Sequence, residues 1–312
     1  MQNAIIAGIQ VSRLCFGTLT MGPLQRNLSP QQGGELLVHA ARLGVNFLDT
    51  AKLYDNYAHI AYALKAGAQY VVATKSYAYD EETAQEDFLH AVRGISREYI
   101  DFYLLHEQES EHTLRGHAQA LEYLHKQRQK GFIRAVGVST HFVRCVYAAA
   151  DHPLVEVIHP LINQAGIGIA DGTVQEMEAA IAYARGKGKY IYAMKALGGG
   201  HLIAQPKQAI QYVLQNANIA SVAVGMQSNA EIEYNAALFS GQDIPAQAQQ
   251  NISTQKRKLN IDFWCAGCGT CVQRCANKAL SVVEGKAQAD MGRCVLCGYC
   301  VTGCPQFCIK VI

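Results

Sequence analysis

Two matching cysteine runs decide the fold of the C-terminal region: Cys265-Ala-Gly-Cys268-Gly-Thr-Cys271-Val-Gln-Arg-Cys275 and Cys294-Val-Leu-Cys297-Gly-Tyr-Cys300-Val-Thr-Gly-Cys304-Pro305. Each run reads C-x2-C-x2-C-x3-C, and together they hold eight of the eleven cysteines. In this spacing three thiolates bind three irons of one cubane cluster, and the fourth cysteine of the run binds the other cluster. The runs therefore predict two [4Fe–4S] clusters. The predicted ligands are Cys265, Cys268, Cys271 and Cys304 for cluster 1, and Cys294, Cys297, Cys300 and Cys275 for cluster 2.

Zinc and disulfides are the alternatives for such runs. A zinc site takes four ligands, which paired C-x2-C motifs can supply, but each run here has a third close cysteine that a zinc pair does not need. Disulfide frameworks are typical of small secreted domains, whereas this chain has 312 residues. Iron–sulfur clusters are therefore favoured. The stretch resembles bacterial two-cluster ferredoxins and departs from them at Ala276, where a proline is usual.

Three cysteines, Cys15, Cys145 and Cys308, lie outside this ligand set. Free cysteine is most often a small buried apolar residue, and we expect that role for all three. Cys308 lies four residues after Cys304, so it is also a candidate neighbour of a cluster.

The overall composition indicates a globular protein that binds neither nucleic acid nor membranes. Apolar residues make up 50% of the chain, charged residues 17%, and the net charge is +2, which is typical of globular domains. No basic stripe marks a nucleic-acid surface, and no apolar run approaches the ~20 residues that cross a bilayer. No basic segment precedes the first apolar residues, so we expect no signal peptide. Reduced thiols and clusters favour the cytoplasm.

Short apolar runs alternate with amphipathic stretches up to residue 240. The candidate strands are Arg13–Thr18, Val45–Asp49, Tyr70–Lys75, Ile100–His106, Ile133–Ser139, Val155–Ile158, Tyr190–Lys195 and Ala220–Gly225. The candidate helices are Gln31–Leu43, Glu81–Arg97, Gly116–Lys130, Val174–Gly186, Pro206–Asn216 and Asn229–Ser240. Eight strands with helices between them predict a (β/α)8 TIM barrel. A doubly wound open sheet is the alternative, but no G-x-G-x-x-G follows the first strand.

The chain therefore divides into three predicted parts. Residues 1–240 form the barrel, and residues 241–259, which are polar and rich in glutamine, form a linker that is a candidate helix. Residues 260–312 form a small α+β two-cluster ferredoxin-like domain, in which Ala279–Val283 and Ala287–Asp290 predict a hairpin. Capping boxes are predicted at Ser29 with Gln32 and at Ser228 with Glu231.

Ionisable residues end three of the predicted barrel strands. These are Asp49, Lys75 and His106, and Tyr54 follows Asp49 on the next loop. Reactive groups of a barrel belong at the C-terminal ends of its strands. A nearby ammonium lowers the pKa of a phenol, which is ordinarily ~10, and a carboxylate keeps that ammonium charged. The set therefore predicts Tyr54 as proton donor to a carbonyl oxygen, Lys75 and Asp49 as its tuning pair, and His106 as the group that orients the oxygen.

Several motifs resemble the aldo-keto reductase superfamily. They are Phe47-Leu-Asp49-Thr-Ala-x-x-Tyr54, Ala73-Thr-Lys75, Asp101-Phe-Tyr-Leu-Leu-His106 and Gly131-Phe-Ile-Arg-Ala-Val-Gly-Val-Ser139. Lys195-Ala-Leu-Gly198-Gly199-Gly200 followed by the cysteine runs resembles its ferredoxin-bearing branch. The resemblance implies a (β/α)8 barrel and a catalytic tetrad, which maps onto Asp49, Tyr54, Lys75 and His106.

The same resemblance implies a nicotinamide dinucleotide, NAD(P)(H), across the barrel mouth. Its candidate contacts are Ser139, Asn163, Lys195, Gly198, Gly199, Gly200, Gly225, Ser228, Glu231 and Asn235. Among them, the three glycines of the 198–200 loop and the start of the 229–240 helix are candidates for the phosphates, although the glycines also suit a plain flexible turn. Ser139 and Asn163 are candidates for the nicotinamide amide. Met194 stands where the family offers an aromatic face to nicotinamide, and His159 is a candidate replacement for a carboxamide-binding glutamine. Glu231 stands where the family often has an arginine for a 2′-phosphate. A carboxylate repels phosphate and accepts from ribose hydroxyls, so NAD is favoured over NADP, although Glu231 also suits a capping role.

Clusters pass single electrons, whereas nicotinamide moves hydride, and a flavin couples the two. Three hypotheses follow. The first is an oxidoreductase that reduces a small-molecule carbonyl, or oxidises an alcohol, with NAD(P)H as hydride source. The second is a flavin-dependent, ferredoxin-linked reductase, fed through the clusters by an electron-carrier protein. The third is a non-catalytic electron-transfer or redox-sensing module.

Overall fold

The computed structural model describes residues 1–254, 258–294, 296–298 and 300–311, with the backbone alone for residues 253, 254 and 302. An antiparallel hairpin of β1 (Asn3–Ile6) and β2 (Ile9–Ser12), which was not predicted from the sequence, begins the chain. Ile6 and Val11 of the hairpin pack against Cys15, Phe47 and Phe102 of the barrel interior. The Asn46 side chain, just before a barrel strand, bonds Ser12 and Gln10 of the hairpin. The hairpin therefore closes the N-terminal end of the barrel.

Eight parallel strands form a closed barrel, which confirms the predicted fold. They are β3 (Leu14–Gly17), β4 (Phe47–Asp49), β5 (Val71–Ser76), β6 (Ile100–Leu105), β7 (Ile133–Thr140), β8 (Val157–Pro160), β9 (Tyr190–Met194) and β10 (Ser221–Gly225). Each overlaps one predicted strand. Closure comes from β10 pairing with β3 in the register Val222 to Leu14. The alternative open sheet is wrong.

Helices surround the barrel and follow its strands. They are α1 (Pro30–Arg42), α2 (Tyr57–Lys65), α3 (Glu81–Ile95), α4 (Glu111–Gly116), α5 (Ala118–Gln129), α6 (Val143–Asp151), α7 (Val174–Gly186), α8 (Pro206–Leu214), α9 (Asn229–Ser240) and α10 (Ala246–Thr254), with α11 (Thr270–Arg274) in the cluster domain. Ser29 and Gln32 form the predicted capping box of α1. Helices α2 and α6, each only nine residues long, were not predicted from the sequence.

Two apolar layers hold the barrel together. One lies between strands and helices, and the other fills the interior with side chains such as Phe47, Phe102 and Tyr192. Phe47 packs edge-on against both other rings, with centroids 5.6 Å and 5.1 Å away. Gly137 permits close pairing of β7 with β8, because a Cβ there would lie 2.1 Å from the Val157 carbonyl oxygen. The interior is thus a packed core that leaves chemistry to the barrel mouth.

Helix α10 covers 9 residues of the predicted linker, residues 241–259, which was a candidate helix. Its Ala248 is fully buried, and Ile252 and the preceding Ile244 pack against the barrel core. Residues 255–257 of the predicted linker lie outside the described residues. The boundaries at 240 and 260 stay predictions.

The cluster domain contains two small antiparallel pairs. β11 (Leu259–Ile261) pairs with β14 (Ile309–Val311), and β12 (Leu280–Val283) pairs with β13 (Lys286–Ala289) as the predicted hairpin. The first pair brings the end of the chain back to residue 259, one position before the predicted domain start. Within the described ranges, no helix is long and apolar enough to cross a membrane.

Candidate functional site

The four predicted tetrad residues meet at the C-terminal end of the barrel. Asp49 ends β4, Lys75 lies in β5, His106 follows β6, and Tyr54 closes a short 3-10 turn after β4. Lys75 Nζ donates to both carboxylate oxygens of Asp49 at 2.7 Å and to the Thr50 carbonyl at 2.8 Å. The same Nζ lies 5.2 Å from the centroid of the Tyr54 ring. The Tyr54 and His106 ring centroids are 5.9 Å apart. The structure therefore brings all four side chains together.

The electrostatics of Tyr54 differ from the expectation. Burial, followed by the negative charges of Asp49 and Glu107, holds the pKa of Tyr54 well above its usual value. The expected lowering by Lys75 is wrong, because Asp49 binds that ammonium through both carboxylate oxygens and balances its charge. Tyr54 therefore stays protonated at neutral pH and can give up its proton only to a strongly basic oxygen.

His106 is a neutral imidazole at neutral pH. Burial, and then the positive charge of Lys75, lower its pKa well below the ordinary value. Its ring stacks on Tyr77 with centroids 4.6 Å apart, and its buried Nδ1 has no hydrogen-bond partner among the described residues. A neutral ring held by stacking is suited to a hydrogen bond with a polar ligand at the mouth.

Two further side chains support Asp49 from inside the barrel. The Tyr192 hydroxyl, which was not predicted from the sequence, donates to Asp49 Oδ1 at 3.0 Å. His159 stacks on Tyr192 at 3.9 Å, and its Nδ1 lies 2.7 Å from the Tyr192 carbonyl oxygen. Burial lowers the pKa of His159 to about 4, so it is neutral. His159 was expected at a nicotinamide amide, whereas its ring faces the Asp49–Lys75 pair, with Nε2 3.5 Å from Asp49 Oδ1.

A second polar group lies beside the tetrad, and its members Tyr77, Glu107 and His141, unlike Lys195, were not predicted. The Tyr77 hydroxyl donates to the Glu107 carboxylate, whose Oε1 lies 3.9 Å from His141 Nε2. Lys195 Nζ is 3.2 Å from the same His141 nitrogen. Burial lowers the pKa of Lys195 to about 8, so it stays mostly protonated at pH 7 and loses its charge as the pH rises through about 8. Tyr77, Glu107 and His141 each follow the end of a barrel strand within two residues, a signal that was available in the sequence.

Two candidate cofactor ligands, Ser139 and Asn163, already form hydrogen bonds within the chain. Ser139 Oγ accepts from the Glu107 backbone N–H at 2.9 Å. Asn163 binds its own loop, donating to the Ile167 carbonyl at 2.8 Å and accepting from the N–H groups of Ala165 and Ile167. Both side chains therefore organise the barrel mouth in this structure. Their expected role as ligands of a nicotinamide amide stays a prediction.

The glycine loop after β9 is packed beneath the cluster domain. Gly198, Gly199 and Gly200 all have positive φ, and a Cβ on Gly199 would lie 3.5 Å from the Phe307 ring. Lys195 Nζ lies 5.2 Å from the centroid of the same ring. On the other side, a Cβ on Gly168 would lie 2.6 Å from Phe307. Phe307 of the cluster domain therefore packs in a slot formed by Gly168 and Gly199. This slot lies at the glycine loop, where phosphates were expected.

The end of β10 and helix α9 hold the remaining candidate dinucleotide contacts. Ser228 caps α9 by accepting from Glu231 N–H at 3.3 Å, and Glu231 Oε2 accepts from Gln227 N–H at 2.7 Å. Asn235 Nδ2 donates to the Glu231 carbonyl, while its buried Oδ1 has no hydrogen-bond partner among the described residues. Gly225, at the end of β10, is exposed. An unpaired buried acceptor suits a ligand that carries N–H or O–H groups.

Two cavities collect the predicted cluster ligands. One is lined by Cys265, Cys268, Cys271 and Cys304, together with Cys308. The other is lined by Cys275, Cys294, Cys297 and Cys300. In the part of the chain that the structure describes, no three His, Cys, Asp or Glu side chains are placed to hold a single metal ion. Thiols spread around a cavity suit a cluster better than one zinc ion. The grouping supports the predicted crossed ligation.

Known proteins resemble both parts of the chain. Residues 13–208 match the aldo/keto reductase family, and residues 257–305 match the 4Fe-4S dicluster domain. L-galactose dehydrogenase from Arabidopsis thaliana is 24% identical, covering 79% of this chain and 90% of that protein. A component of the ion-translocating oxidoreductase complex from Methanosarcina acetivorans is 40% identical over 54 residues, 17% of this chain and 20% of that protein. Among solved structures, the aldo-keto reductase AKR11C1 from Bacillus halodurans superposes with a TM-score of 0.65 at 19% identity, covering 81% of this chain and 95% of that one.

Proposed function

Because the chain belongs to the aldo/keto reductase family, we propose that this oxidoreductase interconverts a small-molecule carbonyl and its alcohol at the barrel mouth. One observation carries the proposal. The buried Lys75–Asp49 pair lies beneath Tyr54, which itself lies beside the neutral His106. This arrangement places a protonated phenol and an imidazole around the same space. We also propose that the protein works in the cytoplasm, where thiol-bound clusters persist.

The proposed chemistry assigns each side chain one task. The substrate oxygen accepts hydrogen bonds from the Tyr54 hydroxyl and the His106 ring. Hydride adds to the carbonyl carbon, the oxygen becomes alkoxide-like, and Tyr54 donates its proton to that oxygen. The raised pKa of Tyr54 suits this order, because the phenol keeps its proton until the oxygen is basic. The Lys75 ammonium, paired with Asp49, lies 5.2 Å from the centroid of the Tyr54 ring and helps to hold that ring in place. Solvent then returns a proton to Tyr54.

A nicotinamide dinucleotide would supply the hydride when bound. The residues that fit it are Gly225 at the end of β10, Ser228 at the start of α9, and Asn235, whose unpaired Oδ1 lies within that helix. Glu231 stands at the same helix start, and its carboxylate disfavours a 2′-phosphate, so we propose NAD over NADP. The glycine loop and Lys195 contribute only where Phe307 leaves them accessible.

Tyr54→Phe tests the proposal. With an aldehyde, ketone and aldose panel under anaerobic conditions, kcat should fall about 10²–10⁴-fold, because the proton donor is lost. Aldoses belong in the panel because a relative is named L-galactose dehydrogenase. NADH affinity, measured by fluorescence, should not change. Tyr79→Phe, at an exposed site on the loop after β5, is the matched control. Full activity of Tyr54→Phe would remove Tyr54 from the mechanism.

A second candidate is a flavin-dependent reductase fed through the clusters by an electron-carrier protein. The Phe307 contact favours it, because this ring lies three residues after the predicted ligand Cys304 and covers Lys195 at the mouth. Two electrons would arrive singly and two protons would complete the reduction. A visible spectrum of anaerobically purified protein tests it. Flavin bands beside the cluster absorbance, and reduction driven by a reduced viologen without NAD(P)H, are expected; NADH-driven turnover without flavin would reject it.

A further inference from the structure

The cluster 1 cavity contains five thiols, one more than a cubane cluster needs. Besides the four predicted ligands, Cys308 lines the same cavity and is 2% exposed. Its Sγ lies 3.3 Å from the Sγ of Cys304, and it also bonds the Cys265 thiol. Cys308 is therefore within van der Waals reach of two predicted ligands of the same cluster.

The cluster 2 cavity provides a natural comparison. The two cysteine runs repeat with an offset of 29 residues, so Ala279 occupies the position that corresponds to Cys308. Ala279 lines the cluster 2 cavity just as Cys308 lines the cluster 1 cavity. Among the described residues, the cluster 2 cavity therefore has only its four predicted thiols. The extra thiol is specific to cluster 1.

The backbone holds Cys308 firmly in place. Its carbonyl accepts from the Asp262 N–H at 2.7 Å, and the adjacent β14 begins at Ile309 and pairs with β11. Cys304, in contrast, is followed by Pro305 and an exposed Gln306 on the way to Phe307. The thiol at 308 is thus fixed by a strand, whereas the predicted ligand at 304 lies on a loop.

We propose that Cys308 is an alternative fourth ligand of cluster 1, able to replace Cys304. In the exchange, the iron–sulfur bond to Cys304 breaks and one to Cys308 forms. The proton of the Cys308 thiol passes to the released Cys304 thiolate, across a sulfur–sulfur distance of 3.3 Å. No electron is transferred, so the cluster keeps its oxidation level. Cluster 1 therefore tolerates loss of its fourth ligand, whereas cluster 2 does not.

Iron content and electron paramagnetic resonance of the full-length protein test this proposal, independently of any enzymatic activity. The variants are Cys304→Ala, Cys304→Ala with Cys308→Ala, and the matched control Cys275→Ala, all purified anaerobically. Cys304→Ala should keep about eight irons per chain and the signals of two reduced clusters. The double variant and Cys275→Ala should each lose about four irons and one set of signals. Loss of about four irons from Cys304→Ala alone would overturn the proposal.

A second pair of variants covers the case in which Cys304→Ala fails to fold. Cys304→Ser keeps the size of the side chain, and it is compared with Cys304→Ser combined with Cys308→Ala. Cluster 1 retained in the first and lost in the second supports ligation by Cys308. Retention in both, or loss in both, overturns it, because the result would then not depend on Cys308.

Discussion

The barrel and the cluster domain differ in the kinds of side chain that form their cores. The barrel interior is filled by large apolar and aromatic side chains such as Phe47, Phe102 and Tyr192. In the cluster domain, half of the buried core members are cysteines: Cys265, Cys271, Cys300 and Cys308. Three of these four are predicted cluster ligands. The barrel therefore assembles its site from its own packing, whereas we expect the cluster domain to need iron–sulfur clusters to complete its core.

The largest expected effect comes from removing the clusters. Binding of a structural metal centre contributes on the order of 10 kcal/mol to the folding of a small domain, which the few apolar residues of this domain cannot replace. Oxidation with ferricyanide and a chelator should abolish amide hydrogen-exchange protection in β11–β14. Protection of the barrel strands should persist. Equal protection of the cluster domain with and without iron would contradict this difference between the two regions.

The barrel is expected to be most sensitive at its buried charges. Lys75→Met leaves the Asp49 carboxylate buried without its counter-ion, and we expect a loss of about 3–5 kcal/mol in the free energy of unfolding. Urea denaturation monitored on the barrel measures it. Adding Asp49→Asn should recover part of the loss, because the unpaired charge disappears.

Lys126→Met is the matched control for this prediction. Its exposed pair with Glu81, at 3.6 Å, is expected to contribute no more than about 1 kcal/mol. Similar losses from Lys75→Met and Lys126→Met would show that the tetrad pair is not a structural element of the barrel.

The sequence predicted the parts of the molecule that local patterns encode. Each barrel strand is an apolar run, so the barrel could be predicted along the chain, and each predicted cluster ligand belongs to a fixed spacing. Asp49, Lys75 and His106 were found because they stand at strand ends. Tyr77, Glu107 and His141 stand at similar places, but the hydrogen bond of Tyr77 to Glu107 and the contact of Glu107 with His141 join different strands and appear only after closure.

Charge balance and domain contacts were the least predictable features. Lys75 was expected to lower the pKa of Tyr54. That expectation did not include the bidentate pairing of Lys75 with Asp49, because it depends on interatomic distances that a sequence does not give. Phe307 reaches a slot formed by Gly168 and Gly199, more than 100 residues away in the sequence. No local pattern marks such a contact.

The smallest expected effect lies where the two regions touch. Phe307→Ala removes a half-buried ring, and we expect the free energy of unfolding to fall by about 1 kcal/mol.

Without the Phe307 ring, Lys195 becomes more exposed to water. Because burial is the main cause that lowers its pKa to about 8, the pKa should rise toward the ordinary lysine value. The pH midpoint of Lys195 labelling by an amine reagent, located by mass spectrometry, measures this shift. Lys187, an exposed lysine on another face, is the internal reference. An unchanged Lys195 midpoint would show that the cluster domain does not control the environment of the barrel mouth.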